Sequence, residues 1–149
     1  MTDQANQSNK DDIYTLPIRI YYEDTDAGGI VYYANYLKFM ERARTEWLRE
    51  LGFEQDQLRD EYGMIFVVRS VNIEYFKPAL FNDLLNVTVS IAEIGKTSIT
   101  CKQQVFKPDP ESRSETALIT EATIGLVCID AKRFRPVGIP AVLRSSLVP

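Results

Sequence analysis

The sequence contains no histidine. That absence removes a Ser-His-Asp triad, a Cys-His pair and any histidine-ligated metal. Hydrolytic chemistry in this chain must run on carboxylates, hydroxyls, lysines or the backbone. Cysteine is scarce as well: Cys101 and Cys128 lie far apart and form no CxxC pair, which reads as two buried free thiols in a reducing cytoplasm. No apolar run approaches the ~18 residues of a membrane span, and the N-terminus has neither the basic start nor the apolar core of a signal peptide. A net charge of −4 with scattered basic residues argues against nucleic acid as a partner. At 149 residues the chain is expected to form one domain, long enough to bury a core.

What is present divides by period. Residues 1–12 are polar with almost nothing to bury, and are expected to be a disordered tail ahead of a single domain over 13–149. A first strand is expected over 16–22, with Ile18, Ile20 and Tyr22 on one side and Arg19 and Tyr21 on the other. Over 33–51 the period turns helical, and Tyr36, Leu37, Met40, Ala43, Trp47, Leu48 and Leu51 form one apolar stripe that Gly52 ends. A short helix over 54–62 closes at Gly63. The rest is β: strands over 65–76, 84–94, 98–107 and 116–130, with a tight Gly95-Lys96 hairpin, a polar loop over 108–114 and a bulge or bend at Gly125. One short helical turn is expected within 137–149. Leu85, Val87, Val89 and Ile91 alternate with Asn86, Thr88 and Ser90, the pattern of an antiparallel sheet with one buried face. This order is α+β: an antiparallel sheet curled around one long helix.

The chemistry concentrates where the first strand meets the helix. Glu23, Asp24 and Asp26 are followed by Gly28 and Gly29, and the helix begins near Tyr33. The first N–H groups of a helix have no intrahelical partner and, with the helix dipole, suit a negatively charged oxygen. A carboxylate and an oxyanion site a few residues apart are the minimum equipment for acyl transfer. Asp26 reads either as that carboxylate or as a turn aspartate bonding its own backbone ahead of glycine. Glu41 reads as a group positioning water or as a helix-face partner of Lys38 or Arg42. Trp47, Tyr75 and Phe76 read as core. A calcium loop starting at Asp24 fails because Asn35 stands where the bidentate glutamate belongs. A DxDx(T/V) phosphotransfer motif fails at Gly28.

Arg19-Ile20, Thr25-Asp26 and the run GIVYYANY from Gly29 to Tyr36 resemble the active-site signature of the 4-hydroxybenzoyl-CoA thioesterase family. Within it, YYEDTDAGGIVY followed by FMERARTE is similar to the Tol–Pal-associated acyl-CoA thioesterases of bacteria. The likeness runs over about 17–140. It implies a hotdog fold, a five-stranded antiparallel sheet wrapped around one central helix, assembled as a homodimer or homotetramer with active sites between subunits. The implied reaction is hydrolysis of an acyl-CoA to free acid and coenzyme A, without metal or cofactor, in the cytoplasm. Asp26 would serve as nucleophile or general base and the Tyr33 N–H as donor to the thioester oxygen. Gly29 would lie at the substrate, and Lys96, Thr97 and Ser98 would meet the phosphates of coenzyme A. Tyr33 stands where many Tol–Pal-type members carry histidine, as in the 4-hydroxybenzoyl-CoA branch. The resemblance also admits acyl carrier protein as a partner. Its alternative is a non-catalytic hotdog protein that binds acyl carrier protein or an acyl ligand.

Overall fold

The computed structural model describes residues 13–108, 111 and 115–147; the expected tail over 1–12 and most of the 108–114 loop lie outside the described residues. The elements run β1 (Tyr14–Arg19), a 3-10 turn (Tyr22–Asp24), α1 (Asn35–Glu50), α2 (Gln55–Tyr62), β2 (Met64–Tyr75), β3 (Leu84–Ile94), β4 (Ser98–Pro108), β5 (Glu115–Asp130) and α3 (Ala141–Leu147). Every pairing is antiparallel, in the order β1-β3-β4-β5-β2. The α+β expectation of a five-stranded sheet around one helix is borne out.

The core follows from the alternation. Leu85, Val87 and Val89 are fully buried under α1, against Phe39, Met40 and Ala43. Phe39 and Arg44 were not in the expected stripe, yet both are buried, while Leu37 reaches the surface. The sheet curls far enough around α1 to cover more than one stripe of it. Burying a side chain of the Phe39 class contributes about 1.5–3 kcal/mol.

Two of the boundaries that differ from expectation shape the site. β1 ends at Arg19, not at Tyr22. Ile20 keeps two backbone bonds, its N–H to the Asp83 carbonyl (2.9 Å) and its carbonyl from the Asn82 N–H (2.9 Å), after which the chain winds into the 3-10 turn and Tyr22 points outward at 81 % exposure. Helix α1 starts at Asn35, two residues later than expected, because the Asn35 N–H closes a turn on the Tyr32 carbonyl (2.9 Å). The bend expected at Gly125 is a bulge on its partner strand: the register slips between Val68 and Ser70, and a Cβ on Gly125 would run into the Ser70 hydroxyl.

The sheet has two unlike edges. β1 is six residues long and carries Pro17, whereas β2 is twelve residues long and exposes Val68, Val71 and Tyr75. Cys101 and Cys128 are free and buried, and burial pushes both thiols up to about 11. Among the described residues no helix is long and apolar enough to cross a membrane.

Candidate active site

Residues 21–35 fold into a small hydrogen-bonded unit with Asp24 as its knot. The Asp24 Oδ2 accepts the Tyr21 N–H (2.8 Å), and its backbone carbonyl accepts both the Tyr32 N–H (3.0 Å) and Asn35 Nδ2 (2.9 Å). Asn35 thereby ties the first turn of α1 to the acidic loop. Between them, Thr25 and Val31 form an antiparallel bridge whose tip turns through Gly29 at φ +82°, a conformation that favours glycine. Val31 then docks on the 79–80 segment through the Ala79 carbonyl (2.9 Å).

Asp26 sits on this miniature hairpin, exposed. Its Oδ1 accepts the Gly28 N–H (2.8 Å), so the turn reading and the catalytic reading coexist: one oxygen is anchored. Among the described residues no hydrogen bond reaches Oδ2. The backbone N–H groups of Tyr33 and Ala34 likewise find no acceptor, because α1 begins just beyond them. Tyr33 Cα is gripped from its other side, where the Tyr75 hydroxyl donates to the Tyr33 carbonyl (3.0 Å).

Aromatic rings gather beside these groups. Tyr33 packs on Tyr32 (4.9 Å between centroids) and edge-on to Tyr75 (6.1 Å), and Tyr75 meets Tyr36 at 5.7 Å. Tyr33, Tyr36 and Tyr75 help line a cavity of about 240 Å³, with Ile30, Phe76 and Lys77 also in its walls. The Tyr36 hydroxyl accepts the Ala79 N–H (3.2 Å), and burial raises its pKa. The adjacent Tyr33 phenol raises the pKa of the Tyr32 phenol, and Asp26 adds to that effect. Tyr36 and Tyr75 were missed as site residues. Tyr75 lies 42 residues from Tyr33, and only the closed sheet brings them together.

Lys96, Thr97 and Ser98 do not join this group within one chain. They occupy the β3–β4 hairpin, whose level on the sheet is that of Val127 and Val67, whereas Asp26 follows the Arg19–Leu84 end of β1, and Tyr33 is bonded to Tyr75 at the last residue of β2. β3 has eleven residues, so the two ends are separated by roughly 35 Å at ~3.3 Å per residue. Arg144 braces that tip: its Nη2 donates to the carbonyls of Gly95 (2.7 Å) and Lys96 (3.0 Å). Glu41 forms no ion pair with Lys38 or Arg42; Arg42 lies instead over the Phe39 ring at 5.8 Å.

A family model described as the thioesterase superfamily matches residues 28–113, well over half of the chain. The chain belongs to the thioesterase superfamily. This thioester hydrolase is 38 % identical to the acyl-CoA thioesterase YbgC of Haemophilus influenzae over 91 % of its own length and 95 % of the relative's. It is 40 % identical to the acyl-CoA thioester hydrolase YbgC of Escherichia coli over 86 % and 90 %. Among solved structures, it superposes on a gentisyl-coenzyme A thioesterase with a TM-score of 0.77 at 28 % identity, covering 90 % of this chain and 99 % of that one. A 4-hydroxybenzoyl-CoA thioesterase in complex with 4-hydroxybenzoyl-CoA aligns with a TM-score of 0.83 at 24 % identity, over 91 % and 99 %; that likeness shows the hotdog fold.

Proposed function

We propose that this thioesterase hydrolyses acyl-CoA thioesters, with Asp26 as the reacting carboxylate and the Tyr33 N–H as oxyanion donor. The observation that carries the reading is the pairing of an anchored carboxylate with one unengaged oxygen and an unengaged backbone N–H, braced against each other through Asp24 and Asn35. The thioester oxygen accepts the Tyr33 N–H, and Asp26 either attacks the carbonyl or takes a proton from the attacking water. In the first case a mixed anhydride forms, coenzyme A leaves as thiolate, and water then cleaves the anhydride to the free acid and Asp26; in the second the tetrahedral oxyanion collapses with the same leaving group, which takes up the proton held by Asp26. A donor of this kind is typically worth ~3 kcal/mol, or about 10²–10³ in rate. The relatives' acyl-CoA names support the substrate class.

The coenzyme-binding part of the proposal needs two copies. Lys96, Thr97 and Ser98 are at the wrong end of their own sheet, but antiparallel two-fold pairing of edge strand β2 with its copy reverses the second sheet. The far end of one subunit then approaches the Asp26 end of the other. The exposed Val68 and Val71 on a twelve-residue edge support that pairing. Buried free thiols fit a cytoplasmic site of action. An acyl group on carrier protein presents the same thioester and is assayed beside acyl-CoA. The test is thiol release over a panel of acyl-CoA esters by the wild type and Asp26→Asn. No release from any ester would turn the reading toward a binding protein.

A further inference from the structure

The β3–β4 tip reverses through Lys96 and Thr97 between Gly95 and Ser98, and the way it closes is unusual. The Gly95 N–H donates to the Ser98 carbonyl (2.8 Å). The return bond, from the Ser98 N–H to the Gly95 carbonyl, is the one that commonly closes a four-residue turn, and here it is missing. The Gly95 carbonyl instead accepts Arg144 Nη2 (2.7 Å). The same nitrogen donates to the Lys96 carbonyl (3.0 Å), which also takes the Ile139 N–H (3.0 Å). The Thr97 carbonyl takes the Cys128 N–H (2.7 Å), so each carbonyl from Gly95 to Ser98 is occupied. Among the described residues, the N–H groups of Lys96, Thr97 and Ser98 have no acceptor, and the Thr97 and Ser98 hydroxyls and Lys96 Nζ have no partner. Arg144 is held at this place by α3, whose Leu143 and Leu147 are buried. Among the described residues no carboxylate lies within ion-pair distance of its guanidinium.

We propose that Arg144 is a positioning residue for the coenzyme end of the substrate. By taking the Gly95 and Lys96 carbonyls, it leaves a run of three backbone N–H groups for phosphate oxygens. This rests on the reading of Lys96, Thr97 and Ser98 as the contact to the phosphates of coenzyme A. Successive N–H groups in a turn make an anion-binding concavity, and a bond to a charged oxygen is roughly twice as strong as a neutral one. The single lysine of the tip is thereby supplemented by backbone donors. Without Arg144 the Gly95 carbonyl is released to close the turn on the Ser98 N–H, and that donor is lost to the phosphate. Arg144 itself touches no substrate atom and acts through the tip.

Arg144→Met keeps the reach of the side chain and removes its donors. With pentanoyl-CoA, KM is expected to rise about ten-fold or more, the scale of a bond to a charged group, while kcat changes little. S-pentanoyl-N-acetylcysteamine carries the same thioester without the phosphates, and its kcat/KM should be retained. Arg144→Lys still offers hydrogens to both carbonyls and should restore most of the KM. Combined with Lys96→Met, the two losses should fall short of additive, because both act through one tip. Full additivity would make Arg144 an independent cation on the phosphate and overturn the positioning role. Equal losses on both thioesters would overturn it too, as the mark of a role in the fold alone. Amide exchange in the wild-type segment 95–99 serves where the variant does not fold: coenzyme A should slow it and pantetheine should not. No slowing overturns the proposal. An unchanged KM in Arg144→Met beside a raised KM in Lys96→Met sinks this role alone. An unchanged KM in both sinks the phosphate reading of the tip, and this role with it.

Discussion

The two ends of the sheet are built from the same kind of element, a tight reversal between extended segments, but they leave opposite things exposed. At the β3–β4 tip the carbonyls are taken: Arg144 holds those of Gly95 and Lys96, the Ile139 N–H bonds Lys96 (3.0 Å) and the Cys128 N–H bonds Thr97 (2.7 Å). At the Asp26 end a carboxylate oxygen and the first N–H groups before α1 are left over, although the loop carrying them is bonded at nearly every other position. Rigidity with selected groups unengaged is what a preorganised site requires. Rigidity with the carbonyls engaged suits a brace, whose N–H groups and side chains remain to meet a ligand.

The sharpest way to break that contrast is Asp26→Asn. Asparagine keeps the bond to the Gly28 N–H within reach but can neither attack nor accept a proton. Turnover should fall by about 10²-fold or more, the scale of removing an acid–base group, with the melting temperature unchanged. Asp24→Asn should cost much less, since the Tyr32 and Asn35 contacts go to its backbone carbonyl. Equal losses in steady-state thiol release would show that the reacting carboxylate has been assigned to the wrong residue.

Next in size is separation of the two ends. Val71→Lys places a charge on the exposed face of the free edge β2, and like charges meeting across a two-fold axis oppose pairing. Light scattering should show a dimer or larger assembly for the wild type and a monomer for the variant. Activity should fall by more than about ten-fold, because the hairpin of one chain cannot reach its own Asp26. A wild-type monomer with full activity would remove the shared-site account.

How far all this could be read beforehand depended on range. The period-2 run of β3 and the stripe on α1 pointed to an antiparallel sheet curled around one helix, because burial of a sheet face or helix face leaves a local pattern; the name of the fold came from the family resemblance. Asp26, Gly29 and Tyr33 could be put forward as candidate site residues because the motif carrying them is contiguous. The burial of Phe39 and Arg44 was not legible, because it depends on how tightly the sheet curls around α1. An arginine held by Gln103 leaves no periodic trace, since its partner is 59 residues away. Nor could spacing reveal that Lys96 and Asp26 stand at opposite ends, which is a property of strand pairing.

Tyr75→Phe tests the grip on the oxyanion donor more gently. It deletes one hydrogen bond to the Tyr33 carbonyl and keeps the ring against Tyr33 and Tyr36. A single bond of this kind is worth ~0.5–1.5 kcal/mol, so a loss of about two- to ten-fold is expected, mostly in kcat if the donor shifts. A change confined to KM would mean that Tyr75 serves the cavity and not the backbone.

The smallest effect is expected from Tyr33→Phe. Tyr33 is 61 % exposed, and the contribution proposed for it runs through the backbone N–H, which phenylalanine retains. The ring contacts with Tyr32 and Tyr75 are also kept. Most activity should therefore survive, with any loss appearing as an altered preference among acyl groups. The pH–rate profile of both proteins should lack an imidazole limb near the usual ~6.5, since the chain has no histidine. A drop as deep as that of Asp26→Asn would contradict the contrast drawn between groups left free in the backbone and side chains that only pack. The Tyr33 phenol would then itself take part in the reaction, and Tyr32, whose ring packs on it, would become the next residue to substitute.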